Sequence, residues 1–413
     1  MKTPPFLDSS ASESQADWRL SLIRRQTKAA ELFHPAEEEQ RRLGYFHTLR
    51  EICQQPWTWL RTCEQMAGSI GSLEPIFKGV RSLTLTGSGS SQYAGECLCI
   101  PLQDALGIPV AAVGGGQILT HGAKSIPPER PGLVISLARS GDSPESRGAI
   151  ELLLNSQPAL NHIVVSCNER GSLTTTWRDH PRVHVITLPP ETNDQSLVMT
   201  SSFTNLLLAA RFVGMLQNPQ QYAQYCRQSS AITMELISNN FDLLAGIAKS
   251  KFRRTVFLGT GSRYAASREA ALKMLEMTSG RVTTLAETYL GFRHGPMSYA
   301  DDKTLIVAFL SSTANLRAYE LDLLQELDRK KLGLSKLLVG EQIPAKIVRP
   351  GDAAVECPGL ADLGDEDTAA IHVVVAQLLG FFRCLQEGLR PDSPSEDGVI
   401  QRVVEKFPLH IPS

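Results

Sequence analysis

Short apolar runs alternate with longer amphipathic stretches along most of this 413-residue chain. Ser82–Thr86 (SLTLT), Val110–Val113, Leu133–Leu137, His162–Cys167 and Val183–Leu188 each have the length and composition of a strand. Helical patterns separate them: one from Gln92, one over Glu145–Asn155, and a long apolar one over Phe203–Met215. Residues Gln217 to Ser250 are helical and polar and read as a connection. The alternation then resumes, with strands at Thr255, Thr304–Leu310 and Leu334–Val339 and helices over Asn315–Lys330 and Asp367–Leu385. Strand, loop and helix in repetition predict parallel sheets covered by helices on both faces. The chain also echoes itself. LTLTGSGSSQYAG from Leu83 resembles VFLGTGSRYAAS from Val256, and VISLARSGDS from Val134 is weakly matched by VAFLSSTAN from Val307. The expectation is therefore two α/β subdomains, each a parallel sheet flanked by helices in a flavodoxin-like αβα sandwich. Their bounds are 44–220 and 221–413, behind an N-terminal tail over 1–43 that is polar and irregular and is followed by a short helix, and the last stretch, Gly388–Ser413, is an extended arm. Within 44–78, Pro56 marks a helix start, with Trp57, Trp59 and Leu60 on its apolar face.

The chain is organised around Val256–Pro296. A strand ends in Gly259-Thr260-Gly261-Ser262 and a helix follows over Tyr264–Met277, rich in Ala, Leu and Met. At ~100° per residue, Glu269, Lys273 and Glu276 fall within about 60° of one another. Apart from Ser267 and Arg268 the remaining circumference is apolar, so the helix is mostly buried and its charges must meet partners or a wet cavity. An intrahelical Glu–Lys pair is common by itself. At the rim of a strand-turn-helix unit it is also the equipment for moving protons on a small molecule.

Composition narrows the class. Hydrophobic residues make up 42% and charged residues 20%, as in an ordinary globular protein. The formal net charge of -2 gives no electrostatic case for nucleic acid or an anionic membrane as partner. No uninterrupted apolar run is long enough to span a bilayer, and the N-terminus lacks the apolar core of a signal peptide. Eight cysteines are scattered without a CxxC pair. This favours reduced, buried thiols in a cytoplasmic protein over disulfides or a zinc site. His180 and His184 have metal-like spacing without further ligands, and no metal or cofactor is expected.

Hydroxyl side chains gather where strands turn into helices. Ser88, Ser90 and Ser91 follow Gly87, Ser140 and Ser143 precede the helix at Glu145, and Thr200, Ser201 and Ser202 precede the helix at Phe203. Each serine is a competent helix cap. Three such turns at the carboxyl edge of one parallel sheet also make an anion site, with phosphate its usual tenant. GxxxxGK[ST] is absent, and GSGSSQYAG does not match GxGxxG, so nucleotide readings fail. His294 lies in Arg293-His294-Gly295-Pro296, where the turn holds the ring in place; taken alone a structural histidine is the better reading, and proton transfer near neutral pH is the functional one.

The stretches LTGSGSSQYAGE, ISLARSGDSPES, VMTSSFTN, SREAALKMLEMTSG, GFRHGPMS and PDSPSEDGVIQRVV resemble the tandem sugar isomerase (SIS) domain proteins, the fold of the isomerase half of glucosamine-6-phosphate synthase. Most of all they resemble the bacterial galactosamine-6-phosphate deaminase/isomerase family, also named tagatose-6-phosphate ketose/aldose isomerase. The resemblance covers residues from about 45 to 410. It implies that Ser90, Ser91, Ser140 and Ser143 bind phosphate. Ala138-Arg139 replaces the Ser-Gln of the synthase's second loop, and Arg139 is able to pair with phosphate instead. It implies Glu276 as the base working between C1 and C2, Lys273 beside it, and His294 as the ring-opening histidine, which a neighbouring subunit supplies in the synthase. Thr200 belongs to the third hydroxyl cluster. Arg402 and Lys406 are candidates for the C-terminal basic residue that closes over the sugar.

The synthase takes ammonia from glutamine on a separate N-terminal domain. This chain begins Met1-Lys2, and fewer than ~90 residues precede its first strand loop, short of a typical domain. The implied function is a metal-free amino-sugar-phosphate deaminase/isomerase acting on galactosamine 6-phosphate, cytoplasmic, and a homodimer or higher homo-oligomer with a shared site. Two alternatives stay open: a non-catalytic sugar-phosphate-binding module, and a plain phosphosugar isomerase without nitrogen chemistry.

Overall fold

A computed structural model describes residues 14–410. Its ten strands are β1 (Ser82–Gly87), β2 (Val110–Gly114), β3 (Gly132–Ala138), β4 (Leu160–Ser166), β5 (Val183–Thr187), β6 (Arg254–Gly259), β7 (Thr283–Thr288), β8 (Thr304–Phe309), β9 (Ser335–Gly340) and β10 (Ala353–Glu356). They form two five-stranded sheets ordered β2-β1-β3-β4-β5 and β10-β9-β8-β6-β7, and all pairings are parallel. Reversing the second order gives β7-β6-β8-β9-β10, the topology of the first. β3 (GLVISLA) and β8 (TLIVAF) are buried along their whole length. Unbroken apolar runs are what a central strand with helices on both faces requires.

The sandwich expectation holds for both halves. One hydrophobic cluster runs from Trp18 to Leu389 and includes the inner faces of both sheets. Between the sheets lie the helices Ser201–Arg211, Pro219–Ala248, Ser262–Met277 and Ala369–Gln386. Asn218 caps the 30-residue connecting helix by accepting from Gln221 N at 3.2 Å, and Pro219 opens it. The Ala369–Gln386 helix has the length and hydropathy to cross a bilayer, which the sequence reading overlooked, but 89% of it is buried inside the fold.

Residues 14–43 depart from the expected tail; residues 1–13 of that call lie outside the described residues. Three helices occupy the stretch: Gln15–Arg25, Thr27–Phe33 and Glu37–Leu43. Trp18, Leu22, Ala29 and Leu32 recur at helical spacing and are buried. Trp18 Nε1 donates to Ser238 Oγ at 2.9 Å on the connecting helix. The Asp242 carboxylate accepts from Thr27 N at 2.8 Å and Lys28 N at 2.7 Å, so a remote acid caps the second helix.

After Ala369–Gln386 the arm is extended, as expected, and it returns to the first half. The Asp392 carboxylate takes hydrogen bonds from His47 N, Thr48 N and Thr48 Oγ1. Farther on, Leu409 lies over Gly148, where a Cβ would stand 2.6 Å from Leu409 Cδ1.

Candidate active site

The order of the first sheet reverses between β1 and β3, the place where ligands bind in such sheets. A cavity of about 520 Å³ opens there. Ser88–Ser91 wall it on one side and Arg139–Ser143 on the other, with Leu197 and Met199 as floor. The arm segment Val399–Glu405 crosses its mouth. Besides the arm, Glu276 reaches it from the second half. Gly89, at φ 57° and ψ -127°, makes the first turn possible, since a side chain rarely adopts that conformation.

The Ser262–Met277 helix carries a cluster of ionisable groups. Lys273 Nζ is fully buried, 2.5 Å from Glu276 Oε2 and 3.4 Å from Glu269 Oε1. It also donates to Ser90 Oγ at 3.1 Å, tying this helix of the second half to the first serine loop. Glu276 is 23% exposed at its side chain and Glu269 is 0% exposed. Only Glu276 can therefore reach a substrate directly. Burial pushes the Glu269 carboxyl up to about 7, with Lys273 opposing. Burial also works against the Lys273 ammonium, but Glu269 and Glu276 outweigh it and hold it above its ordinary value. The three groups form one cluster, with its open end at Glu276.

Ser90, Ser91, Ser140 and Ser143 all line the cavity. Arg139 lines it too, but its guanidinium donates to Ser196 O, Leu197 O and Arg402 O. Burial holds it below its ordinary value, with Asp194 opposing. Arg402 spends its own guanidinium on Asp194 O and Asn193 Oδ1. The two arginines thus clamp the arm to the loop under the cavity.

Three expected residues are not among the cavity lining. Thr200 is fully buried, with its N–H and hydroxyl both on the Asp194 carboxylate. Asp194 also accepts from Ser201 N, Ser202 N and Ser202 Oγ. An internal carboxylate thus sits where an anion was expected at this helix start. His294 is exposed on the turn after β7 and is not among the cavity-lining residues of its own chain. Lys406 likewise lies outside the lining.

Sequence reasoning left out Glu145, a half-buried cavity residue whose buried Oε2 has no partner, as has the nearby Ser88 Oγ. It saw Glu269 on the right helix face without giving it a role.

No family model matches the chain. A putative D-galactosamine-6-phosphate deaminase AgaS from Streptomyces coelicolor is 34% identical over 371 residues, covering 88% of this chain and 95% of the relative. The chain belongs to the AgaS family. A second member, the D-galactosamine-6-phosphate deaminase AgaS of a Shewanella species, is 33% identical over 375 residues, covering 89% and 92%. Among solved structures, a putative tagatose-6-phosphate ketose/aldose isomerase from Clostridium novyi superposes with a TM-score of 0.84 at 30% identity, covering 91% of this chain and 97% of that one. The tagatose-6-phosphate ketose/aldose isomerase of Escherichia coli gives 0.78 at 30% identity, covering 86% and 96%. The AgaS family resemblance read from the motifs is confirmed, and the tandem SIS fold with it.

Proposed function

We propose that this AgaS-family chain is an enzyme that converts galactosamine 6-phosphate and water into tagatose 6-phosphate and ammonia. The observation that carries the reading is the placement of Glu276. It is the partly exposed end of a buried carboxylate–ammonium cluster, and it faces the same cavity as the serines of both loops. Ser90, Ser91, Ser140 and Ser143 hold the phosphate, and that remote grip positions C1 and C2. Glu276 removes the C2 proton of the open-chain sugar, and Lys273 steadies the enolamine that results. Return of the proton at C1 gives an imine at C2, which water hydrolyses to the ketose and ammonia. The overall step thus joins isomerisation to a hydrolase step at carbon–nitrogen.

His294 opens the sugar ring from a second copy of the chain. Its exposure and its distance from its own cavity support a homodimer or higher homo-oligomer with a shared site. Eight free thiols, seven of them buried, support a reducing, cytoplasmic setting. The chain divides into two subdomains at about residue 220, a reading supported by the break between the sheets from β5 to β6.

Glu276→Gln tests the assignment. Ammonia release from galactosamine 6-phosphate should fall by at least ~10²–10⁴-fold, with phosphosugar binding retained. Wild-type ammonia release by the variant refutes the role of Glu276, and ketose formation without ammonia refutes the deamination.

A further inference from the structure

The second half repeats the cradle of the first, and fills it. β6 and β8 take the places of β1 and β3 in the same strand order. Gly87-Ser88-Gly89-Ser90-Ser91 after β1 corresponds to Gly259-Thr260-Gly261-Ser262-Arg263 after β6. The two turns have one conformation: Gly89 is at φ 57°, ψ -127° and Gly261 at φ 61°, ψ -133°. The glycine that opens each turn is pressed against the residue four places on. A Cβ on Gly87 would lie 2.8 Å from Ser91 C, and one on Gly259 would run into the carbonyl of Arg263. After β8, Ser311-Ser312-Thr313 stands where Arg139-Ser140-Gly141 stands after β3.

The difference lies in what occupies the space. Glu366 Oε2 accepts from Ser262 N at 2.9 Å, at the start of the 16-residue Ser262–Met277 helix. Its neighbour Asp365 accepts from Ser312 N at 2.8 Å and from Ser311 Oγ, and pairs with Arg263 Nη1 at 2.9 Å. Two adjacent carboxylates therefore bridge the two loops across the switch point. Ser262 Oγ, in the first turn of that helix, is 1% exposed and has no partner. The fully buried Arg263 also keeps Nε unpartnered. These donors are more than the turn uses. In the first half, no carboxylate among the described residues accepts from the backbone of 88–91, and the cavity there is open.

We propose that the Asp365–Glu366 turn is an internal ligand that masks a second, latent anion site, so that one chain takes up one phosphorylated molecule and not two. The built-in anion fixes the start of the helix that carries Lys273 and Glu276, independently of substrate. The inference rests on the proposed reading of the first cradle as a phosphate site.

The test is Glu366→Ala in the full-length chain, with selenate and sulfate as probes. Glu366 is half-buried, and its removal leaves Arg263 with Asp365. In crystals soaked with selenate, the wild type should show anomalous density between Ser90 and Ser140 and none at Ser262. The variant should show a further peak between Ser262 and Ser312. In solution, sulfate should raise the variant's Tm more than the wild type's, by about 2 °C or more over chloride at equal ionic strength. Glu366→Ser, which keeps a hydroxyl on the turn, is read in the same way if the alanine variant does not accumulate. A variant with no peak at Ser262 and no sulfate-specific rise overturns the proposal. A wild type without selenate between Ser90 and Ser140 overturns the phosphate reading of the first cradle instead, and the two failures fall at different places in the map.

Discussion

Glu269→Gln isolates the energetics of the buried cluster. Glu269 is 0% exposed, and its only charged neighbours named above are on its own helix, Lys273 at 3.4 Å and Glu276 beyond it. Its carboxyl titrates near 7 in the fold against 4.5 in the free chain. Below pH 4.5 both states hold the proton and the shift costs nothing. Between pH 4.5 and 7 the unfolded chain releases a proton that the folded chain keeps, so stability falls as pH rises, and above 7 the loss is complete. At 1.36 kcal/mol per unit, the shift from 4.5 to about 7 amounts to about 3 kcal/mol. Glutamine preserves the shape and removes the titration. Lys273, held above its ordinary value, stays charged across this window, so losing its partner adds an offset that does not change with pH. The stability of Glu269→Gln relative to wild type should therefore climb by about 3 kcal/mol from pH 4.5 to above 7. Urea unfolding of both proteins at several pH values across the window measures it. A difference that stays flat would show that Glu269 is ionised throughout and that the cluster is an ordinary ion pair.

Two further outcomes follow from other buried groups. His162 and His372 are buried, and burial drives each imidazole down to about 3. Their contribution has the opposite sign to that of Glu269: stability is intact above pH 6.5 and is lost as pH falls toward 3, by about 2 kcal/mol per ring at pH 5. A His162→Leu variant that folds should lose acid sensitivity in proportion, as read by Tm against pH. Trp18→Ala should cost about 3–5 kcal/mol, because the indole fills the junction with the connecting helix; if residues 14–43 were a loose tail, urea unfolding would register almost no change.

The sheets were legible because their strands are self-contained apolar runs between glycine-rich turns. β7 and β10 were not: TTLAET and AAVE are edge strands with little burial and no distinct pattern. The N-terminal helices were missed because Trp18, Leu22, Ala29 and Leu32 gain meaning only from a partner more than 200 residues away. Within the site, Glu276 and the serines were legible because periodicity and turn chemistry are local signals. Arg139 and Arg402 were legible as cavity residues but not as clamps, since their acceptors are backbone carbonyls that composition does not display.

The hardest distinction was among helix starts that look alike. Ser90, Thr200 and Ser262 each follow a strand or loop rich in small polar residues, and each invites an anion. Asp194 fills the second and Glu366 the third, with hydrogen bonds of 2.7 and 2.9 Å to the first available N–H. The carboxylate that decides the matter is six residues upstream in one case and 104 downstream in the other. No spacing rule links them, because what matters is which acid the fold delivers to a polar turn already demanding one. The start at Ser90 opens onto the cavity instead. It is also the one that Lys273 touches, so the first serine loop and the Lys273–Glu276 cluster meet at a single hydroxyl. A chain with three equivalent openings would bind phosphate without regard to Glu276. On the proposed function, two openings closed by the chain's own carboxylates would confine the phosphate to the position from which C2 can reach Glu276.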